Sequence, residues 1–272
     1  MPDPANNDEL WRHLLTEADS PLVHQRGRYR HYPGSPRCKQ CLVPLGGAAA
    51  PLVRLVTRKT PSRKNPNYCN ICEEFVETHP GGAEIELSLL FADVRGSTSI
   101  AEQMSPAEYS RLLKRFHTAA STIVIDTDGL VDRLVGDEIV ALYLPNRGPD
   151  HGHRALHAAF DLLEATGHRD VRGPWLPVGA GVHTGIAYVG AVGLGHARDF
   201  TALGDAVNVA ARLASAAGAG EVLVSEAAYA QAGHDVGQAE TRRLELKGKS
   251  EPIDVRVARV GPDVRPAAPV SG

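Results

Sequence analysis

The sequence predicts an α+β domain with a mixed or antiparallel sheet, preceded by a small cysteine-rich metal module. Three observations carry this. From Glu84 onward, β-rich runs alternate with helical patterns, and several of those runs are joined by turn signals short enough for hairpins. All four cysteines lie between Cys38 and Cys72. The stretch from Ser20 to Cys72 has no Asp or Glu but ten Lys and Arg, so a total charge of −3 leaves −13 on the remainder.

The elements follow in order. Asp8 to Ala18 reads as a short amphipathic helix, with Leu10, Trp11, Leu14 and Leu15 on one side. The Pro- and Gly-rich basic stretch reads as a loop-rich module held by something other than a large core. His79-Pro-Gly-Gly82 is a linker or turn. Glu84 to Phe91 alternates and then becomes fully apolar, as a central strand does. Ser105-Pro-Ala-Glu108 carries a capping box with Pro at the first helical position, starting a helix to about Ile123. Leu130–Val135 and Ile139–Leu144 form a hairpin around Gly136-Asp-Glu138. A helix over His151–Ala165, a strand over Val178–Val189, a helix over Gly204–Ala217 and a strand over Val222–Ser225 follow. Leu244–Ser250 and Ile253–Ala258 read as a terminal hairpin, and the Pro/Ala-rich tail 261–272 as disordered. The expected division is a helical segment over 1–30, the cysteine module over 31–80, a larger α+β domain over 84–260, and the tail over 261–272.

Composition bounds the function. With 43% hydrophobic and 22% charged residues, the chain is neither disordered nor collagenous. A net charge of −3 argues against a chain built as a whole for nucleic acid. No apolar run approaches the roughly 20 residues of a membrane span. The start MPDPANNDEL lacks a basic segment followed by an apolar core, so no secretory signal is expected. A cytoplasmic protein with reduced or metal-bound thiols is the expectation.

Cys38-Lys-Gln-Cys41 and Cys69-Asn-Ile-Cys72 are two CxxC pairs, each able to clamp a tetrahedral ion from one side. Zinc is the expected ligand of this Cys₄ set. An iron–sulfur cluster or a thiol–disulfide switch is the alternative. The site can be a structural staple only, or a sensor that sets the geometry of a dimer. The uncompensated cations around it are expected to dock on the acidic remainder. Aromatic residues there are few, so nucleic acid is not an expected partner.

Asp93 ends a buried strand just before a turn, and Asp137 sits at a hairpin tip. Carboxylates at the ends of adjacent strands can hold a pair of Mg²⁺ ions for phosphoryl chemistry, although either Asp alone reads more simply as a cap or a turn residue. Asn208 and Arg212 are spaced i, i+4 and so share a helix face. Of the histidines near the second helix, His151, His153 and His157, none lies in a recognisable metal motif, and they read as solvated.

Four segments in order resemble the class III nucleotidyl cyclase catalytic domain: Phe91-Ala-Asp-Val-Arg-Gly-Ser-Thr98, Arg133-Leu-Val-Gly-Asp-Glu138, Phe200 to Leu213, and Leu246-Lys-Gly-Lys249. The resemblance covers about 84–260. It implies a ferredoxin-like βαββαβ core with an extra C-terminal hairpin, and a homodimer with sites between subunits. It implies that Asp93 and Asp137, with the backbone carbonyl of Val94, bind two Mg²⁺ or Mn²⁺ ions. One ion would activate the 3′-hydroxyl of a nucleoside triphosphate and the other would hold the triphosphate, giving a 3′,5′-cyclic nucleotide and pyrophosphate. Asn208 matches the ribose-orienting Asn, Arg212 the transition-state Arg, and Lys247 the lysine on the β- and γ-phosphates. Arg133 and Thr201 match the base-selecting pair. Thr201 supports ATP. Arg133 stands where the family commonly has Lys, and its planar fork could reach guanine O6 or paired pyrimidine acceptors, so GTP and pyrimidine triphosphates stay open. A catalytically silent pseudo-cyclase, acting as a nucleotide sensor or interaction module, is the rival reading.

Overall fold

The computed structural model describes residues 4–194, 198–232, 239–245 and 252–261. Its strands form one sheet in the order β2-β3-β1-β4-β6-β8-β7, with β5 pairing β4. The strands are β1 (Gly81–Val94), β2 (Leu130–Val135), β3 (Glu138–Tyr143), β4 (Val178–Val192), β5 (Asp199–Leu203), β6 (Glu221–Ser225), β7 (Glu240–Leu244) and β8 (Ile253–Arg259). The sheet is mixed: β1–β3, β2–β3, β4–β5, β6–β8 and β7–β8 are antiparallel, and β4–β6 is parallel. With α5 (Ser97–Glu102) and α6 (Pro106–Asp126) between β1 and β2, and α7 (His151–Ala165) between β3 and β4, the chain follows a βαββαβ path. The neighbour order 2-3-1-4 is that of a split βαβ core.

The chain divides into two compact units. The larger contains Glu86–Tyr143, Asp150–Ile186 and the chain from Gly204 onward. Within it, β6 buries both faces. Val222 and Val224 of β6 join a core with Phe116 and Val124 of α6 and Leu156 and Leu162 of α7. Leu223 points the other way, into a second core with Val209 and Leu213 of α8 (Asp205–Ala216) and Val255 and Val257 of β8. Period-two alternation thus serves two layers of helices. The capping box of α6 forms as the sequence predicts: Glu108 N–H donates to Ser105 Oγ, and Ser105 N–H donates to Glu108 Oε2 at 2.9 Å. Trp175, in the loop before β4, donates its indole N–H to the Ala165 carbonyl, and the Arg115 guanidinium lies 3.7 Å over its ring.

The smaller unit contains the chain up to Ile85, Leu144–Pro149, and Ala187–Leu203. It holds α1 (Pro4–Thr16), α2 (Pro21–Tyr29), α3 (Ala50–Thr57) and α4 (Asn70–Thr78), so the cysteine region is more helical than its Pro and Gly content predicts. Cys69 caps α4 and Ser20 caps α2, each with a side chain accepting from the third residue on. Trp11 is fully buried, stacked 5.7 Å from Phe200 and edge-on to Phe75 at 5.3 Å, and its indole donates to the His79 carbonyl.

Two expectations shift. The strand pairing with β8 is Glu240–Leu244, earlier than predicted, with Leu244 opposite Ile253; residues 246–251 lie outside the described residues, as does the tail from 262. His151 is buried, not solvated: its Nδ1 lies 2.8 Å from Ser88 Oγ, and burial pushes its pKa down. His153 and His157 do pair, with ring centroids 4.5 Å apart.

Candidate functional site

In the larger unit, β1 and β3 bring the two predicted carboxylates together. Asp93 is the ladder partner of Glu138, and the Val94 N–H donates to the Asp137 carbonyl at 3.3 Å. The Asp137 carboxylate lies near enough to Asp93 to act on its titration, and two ionised carboxylates so placed repel. Burial pushes the Asp93 carboxyl above its usual range, Asp137 adds to this, and the Arg95 guanidinium opposes both. Burial also raises Glu138, with Asp93 second. A set of hard oxygen donors sharing excess negative charge fits Mg²⁺ or Mn²⁺.

Arg95, Tyr109 and His117 surround this point and were not singled out from the sequence. Arg95 pairs with the Asp93 carboxylate, and its other nitrogens donate to the Asp93 carbonyl at 3.3 Å and the Ser215 carbonyl at 3.1 Å. Burial raises the Tyr109 phenol, with Asp137 and Asp93 among the causes. His117 Nε2 lies 2.9 Å from the Gly136 carbonyl and pins the hairpin tip. Arg95 stands inside the Phe91–Thr98 segment, so its closeness was legible. The reach of His117 from α6 was not.

The third helix is positioned by glycine. Gly204, at φ +134°, opens α8 in a backbone state that side chains rarely adopt. Under the helix, a Cβ on Gly181 would lie 2.3 Å from Ala214 N, so only glycine lets α8 rest on β4. Buried Val209, Ala210, Leu213 and Ala214 fix its rotation, which leaves Asn208 exposed and Arg212 half-buried. Arg133, on β2, is exposed, and its Nε donates to Asp132 Oδ2 at 3.2 Å. Asp132 is buried, so the partner that orients Arg133 does not itself move freely. Lys247 lies outside the described residues.

In the smaller unit, the four cysteines are buried, and their sulfur atoms all lie within 4.8 Å of one another. Four sulfurs about 2.3 Å from a tetrahedral ion would stand about 3.8 Å apart; Cys41 and Cys69 sulfurs are 3.8 Å apart. The Cys38–Cys41 turn closes with Leu42 in a left-handed conformation at φ +62°, its N–H donating to the Cys38 carbonyl. Cys69 N–H donates to Cys38 Sγ. Burial holds the Cys38 thiol up and contact with its neighbours raises Cys72, while hydrogen bonds from Cys38 pull Cys41 and Cys69 down. Despite its burial, Lys59 is raised by the thiolates of Cys41, Cys72 and Cys69. Within the basic stretch, Arg26 donates to the Gln40 carbonyl, Arg37 to those of Tyr29 and Leu42, and Lys64 to Glu77.

Thr201, also in the smaller unit, is central in β5 and pairs with Gly190 of β4. Its strand was not predicted. Asp199-Phe-Thr-Ala-Leu203 is short and lies beside the motif glycine, which masks its β pattern.

Comparison with known proteins agrees on one family. The model of the adenylate and guanylate cyclase catalytic domain matches residues 83–257. An adenylate cyclase of Anabaena cylindrica is 35% identical over 140 residues, covering 47% of this chain and 26% of that protein. An adenylate cyclase of Mycobacterium bovis is 34% identical over 169 residues, covering 60% and 37%. The chain therefore spans well under half the length of these curated relatives. Among solved structures, the guanylyl cyclase Cya2 aligns with TM-score 0.62 at 26% identity, over 69% of this chain and 100% of that one. The adenylyl cyclase CyaB from P. aeruginosa aligns with TM-score 0.58 at 25% identity, over 68% and 97%. Among the described residues, no helix is long and apolar enough to cross a membrane.

Proposed function

The chain belongs to the adenylate and guanylate cyclase catalytic domain family, and from that premise we propose that it converts ATP to 3′,5′-cyclic AMP and pyrophosphate, working as a homodimer. The observation that carries the reading is that β1 and β3 bring Asp93 and Asp137 together at one end of the sheet, with the Val94 N–H bonded to the Asp137 carbonyl. Those two carboxylates, with the Val94 carbonyl, would hold two Mg²⁺ or Mn²⁺ ions. Bound there, the ions supply Lewis-acid stabilisation of the phosphoryl oxygens and of the 3′-oxygen as it loses its proton.

The chain's own residues do the rest. Asn208 orients the ribose. Arg212, one turn further along α8, offers donors to the charge that develops at the α-phosphate. Lys247 neutralises the β- and γ-phosphates as they become the leaving pyrophosphate. Thr201 and Arg133 read the base. In the family pattern these residues come from the subunit opposite the carboxylates. This chain carries both sets, so two copies build two equivalent sites.

The adenylate cyclase relatives and Thr201 favour ATP. One observation favours a second reading: Asp132 takes the Nε–H of Arg133, so a bidentate contact to a base would use the two Nη groups, a pattern suited to guanine O6 or a pyrimidine carbonyl and ring nitrogen.

The cysteine site, read as a Zn²⁺ centre, belongs to an appended module over 31–80 ahead of the catalytic domain. Thiolates of this kind suit the reducing cytoplasm. Neither proposal involves nucleic acid.

The test is product formation from ATP, GTP, CTP and UTP, each with Mg²⁺ and with Mn²⁺, using Asp93→Ala as the blank. Cyclic AMP absent from the blank is the expected result. A cyclic guanosine or pyrimidine product moves the substrate to the second reading and keeps the mechanism. A dimer that forms no product with any of them supports the pseudo-cyclase.

A further inference from the structure

We propose that the cysteine centre sets the position of Thr201 through Lys39 and Tyr68, and so tunes nucleotide recognition. The inference rests on the base-reading role given to Thr201 above. Every contact it uses lies within the smaller unit.

Each CxxC pair places one neighbour on the start of β5. Lys39, between Cys38 and Cys41, is 6% exposed and donates from Nζ to Asp199 Oδ2 at 2.9 Å. Tyr68, next to Cys69, is buried and donates its hydroxyl to the other oxygen, Asp199 Oδ1. The same hydroxyl accepts from the Phe200 N–H at 3.0 Å. The clamp extends one residue back: Arg198 donates to the Glu77 carbonyl of α4, the helix that Cys69 caps, at 2.7 Å. Three consecutive residues, Arg198, Asp199 and Phe200, are therefore tied to the cysteine module, and Thr201 is the next one along.

The chemistry makes the tie depend on the metal. Four buried sulfurs bound to one ion fix the two turns that carry Lys39 and Tyr68. Without the ion, the two turns lose the cross-link that joins them. The Asp199 carboxylate would then lose a buried lysine and a buried phenol together, and removing a charged partner from such a pair costs more than an ordinary hydrogen bond. Asp199 is in this sense a positioning residue for Thr201.

The experiment uses the full chain. Amide exchange is followed in the segment 198–203, and fluorescent ATP, GTP, CTP and UTP analogues are titrated. Wild type is compared before and after metal stripping with Tyr68→Phe, Asp199→Asn and the control Lys64→Ala, which breaks an exposed pair elsewhere in the module. Tyr68→Phe and Asp199→Asn should each speed exchange of the segment about tenfold, the scale of one lost hydrogen bond to a charged group, and stripping should speed it by more. They should also weaken binding of the preferred nucleotide about fivefold, narrow its preference over the others, and raise KM with little change in kcat. Lys64→Ala should do none of this. Asp199→Asn keeps the side-chain shape and stands alone if Tyr68→Phe does not fold. Exchange that ignores both the metal and the variants overturns the proposal. So does faster exchange with an unchanged nucleotide preference, which would make the centre a staple only. A chain that binds no nucleotide defeats the cyclase reading instead, and the exchange arm then decides alone whether the centre holds β5.

Discussion

Asp93 on β1 stands directly opposite Glu138 on β3, one residue beyond Asp137. Three carboxylates thus meet at one end of the sheet, in surroundings that raise both Asp93 and Glu138. Like charges so placed repel, and a bound cation would relieve that repulsion. Asp93→Asn or Asp137→Asn should lower cyclic nucleotide formation by about 100-fold or more, the scale seen when one centre of transition-state charge stabilisation is removed. The melting temperature without divalent ions should hold or rise. Glu138→Gln should cost far less activity. A thermal scan beside a product assay separates the three.

Arg95 competes with any cation for the Asp93 carboxylate. Removing it should tighten metal binding. Arg95→Ala is expected to lower the Mg²⁺ concentration for half-maximal activity about threefold to tenfold, since two cations a few Å apart near a protein surface repel by a few kcal/mol before screening. A Mg²⁺ titration at fixed nucleotide checks this, and an unchanged midpoint would show that Arg95 swings clear at no cost.

The purified chain should contain one Zn²⁺ per copy, and chelation or Cys38→Ser should lower its stability steeply. Four buried thiols without an ion must keep protons or repel, and structural zinc contributes on the order of 10 kcal/mol to small folded modules. Elemental analysis and a chelator titration followed by circular dichroism are sufficient. Iron with visible absorbance would mean one iron in the same four-thiolate tetrahedron, whereas a multi-iron cluster would contradict sulfurs that all lie within 4.8 Å of one another.

Acid should destabilise the protein in two steps. Burial holds both His151 and His168 below the ordinary 6.5, and His168 Nε2 accepts the Val178 N–H at 3.0 Å, which only a neutral ring can do. The unfolded chain takes up protons first, so stability falls as pH drops below about 6.5. Glu221, bonded by Arg242 and Arg259, is held down to about 2. Its contribution is present above the usual glutamate range and is lost as pH falls from there towards 2. Denaturation midpoints between pH 8 and 3 should trace both, and His168→Gln should flatten the first.

The sequence made the larger unit legible because its elements announce themselves locally. Ser105 and Glu108 mark a helix start, Gly136 marks a hairpin, and Asn208 with Arg212 shows a shared helix face. The pairing of Asp93 with Asp137 came from the family pattern, since neither residue alone exceeds turn or cap chemistry. What stayed hidden was long-range. Tyr68 and Asp199 are 131 residues apart, and nothing near either one signals the other. The burial of His151 was hidden as well, because Ser88 and Thr184, which complete its polar cluster, sit on strands that read as ordinary sheet interior.

The chain carries two tryptophans, and they fall one in each compact unit: Trp11 stacked on Phe200, Trp175 beneath a guanidinium. Ring stacking and a nearby cation perturb indole emission differently, so Trp11→Phe and Trp175→Phe yield two single-reporter proteins. Each lets the melting of one unit be watched by light alone, and the gap between the two curves measures how far the halves of the molecule fold as one.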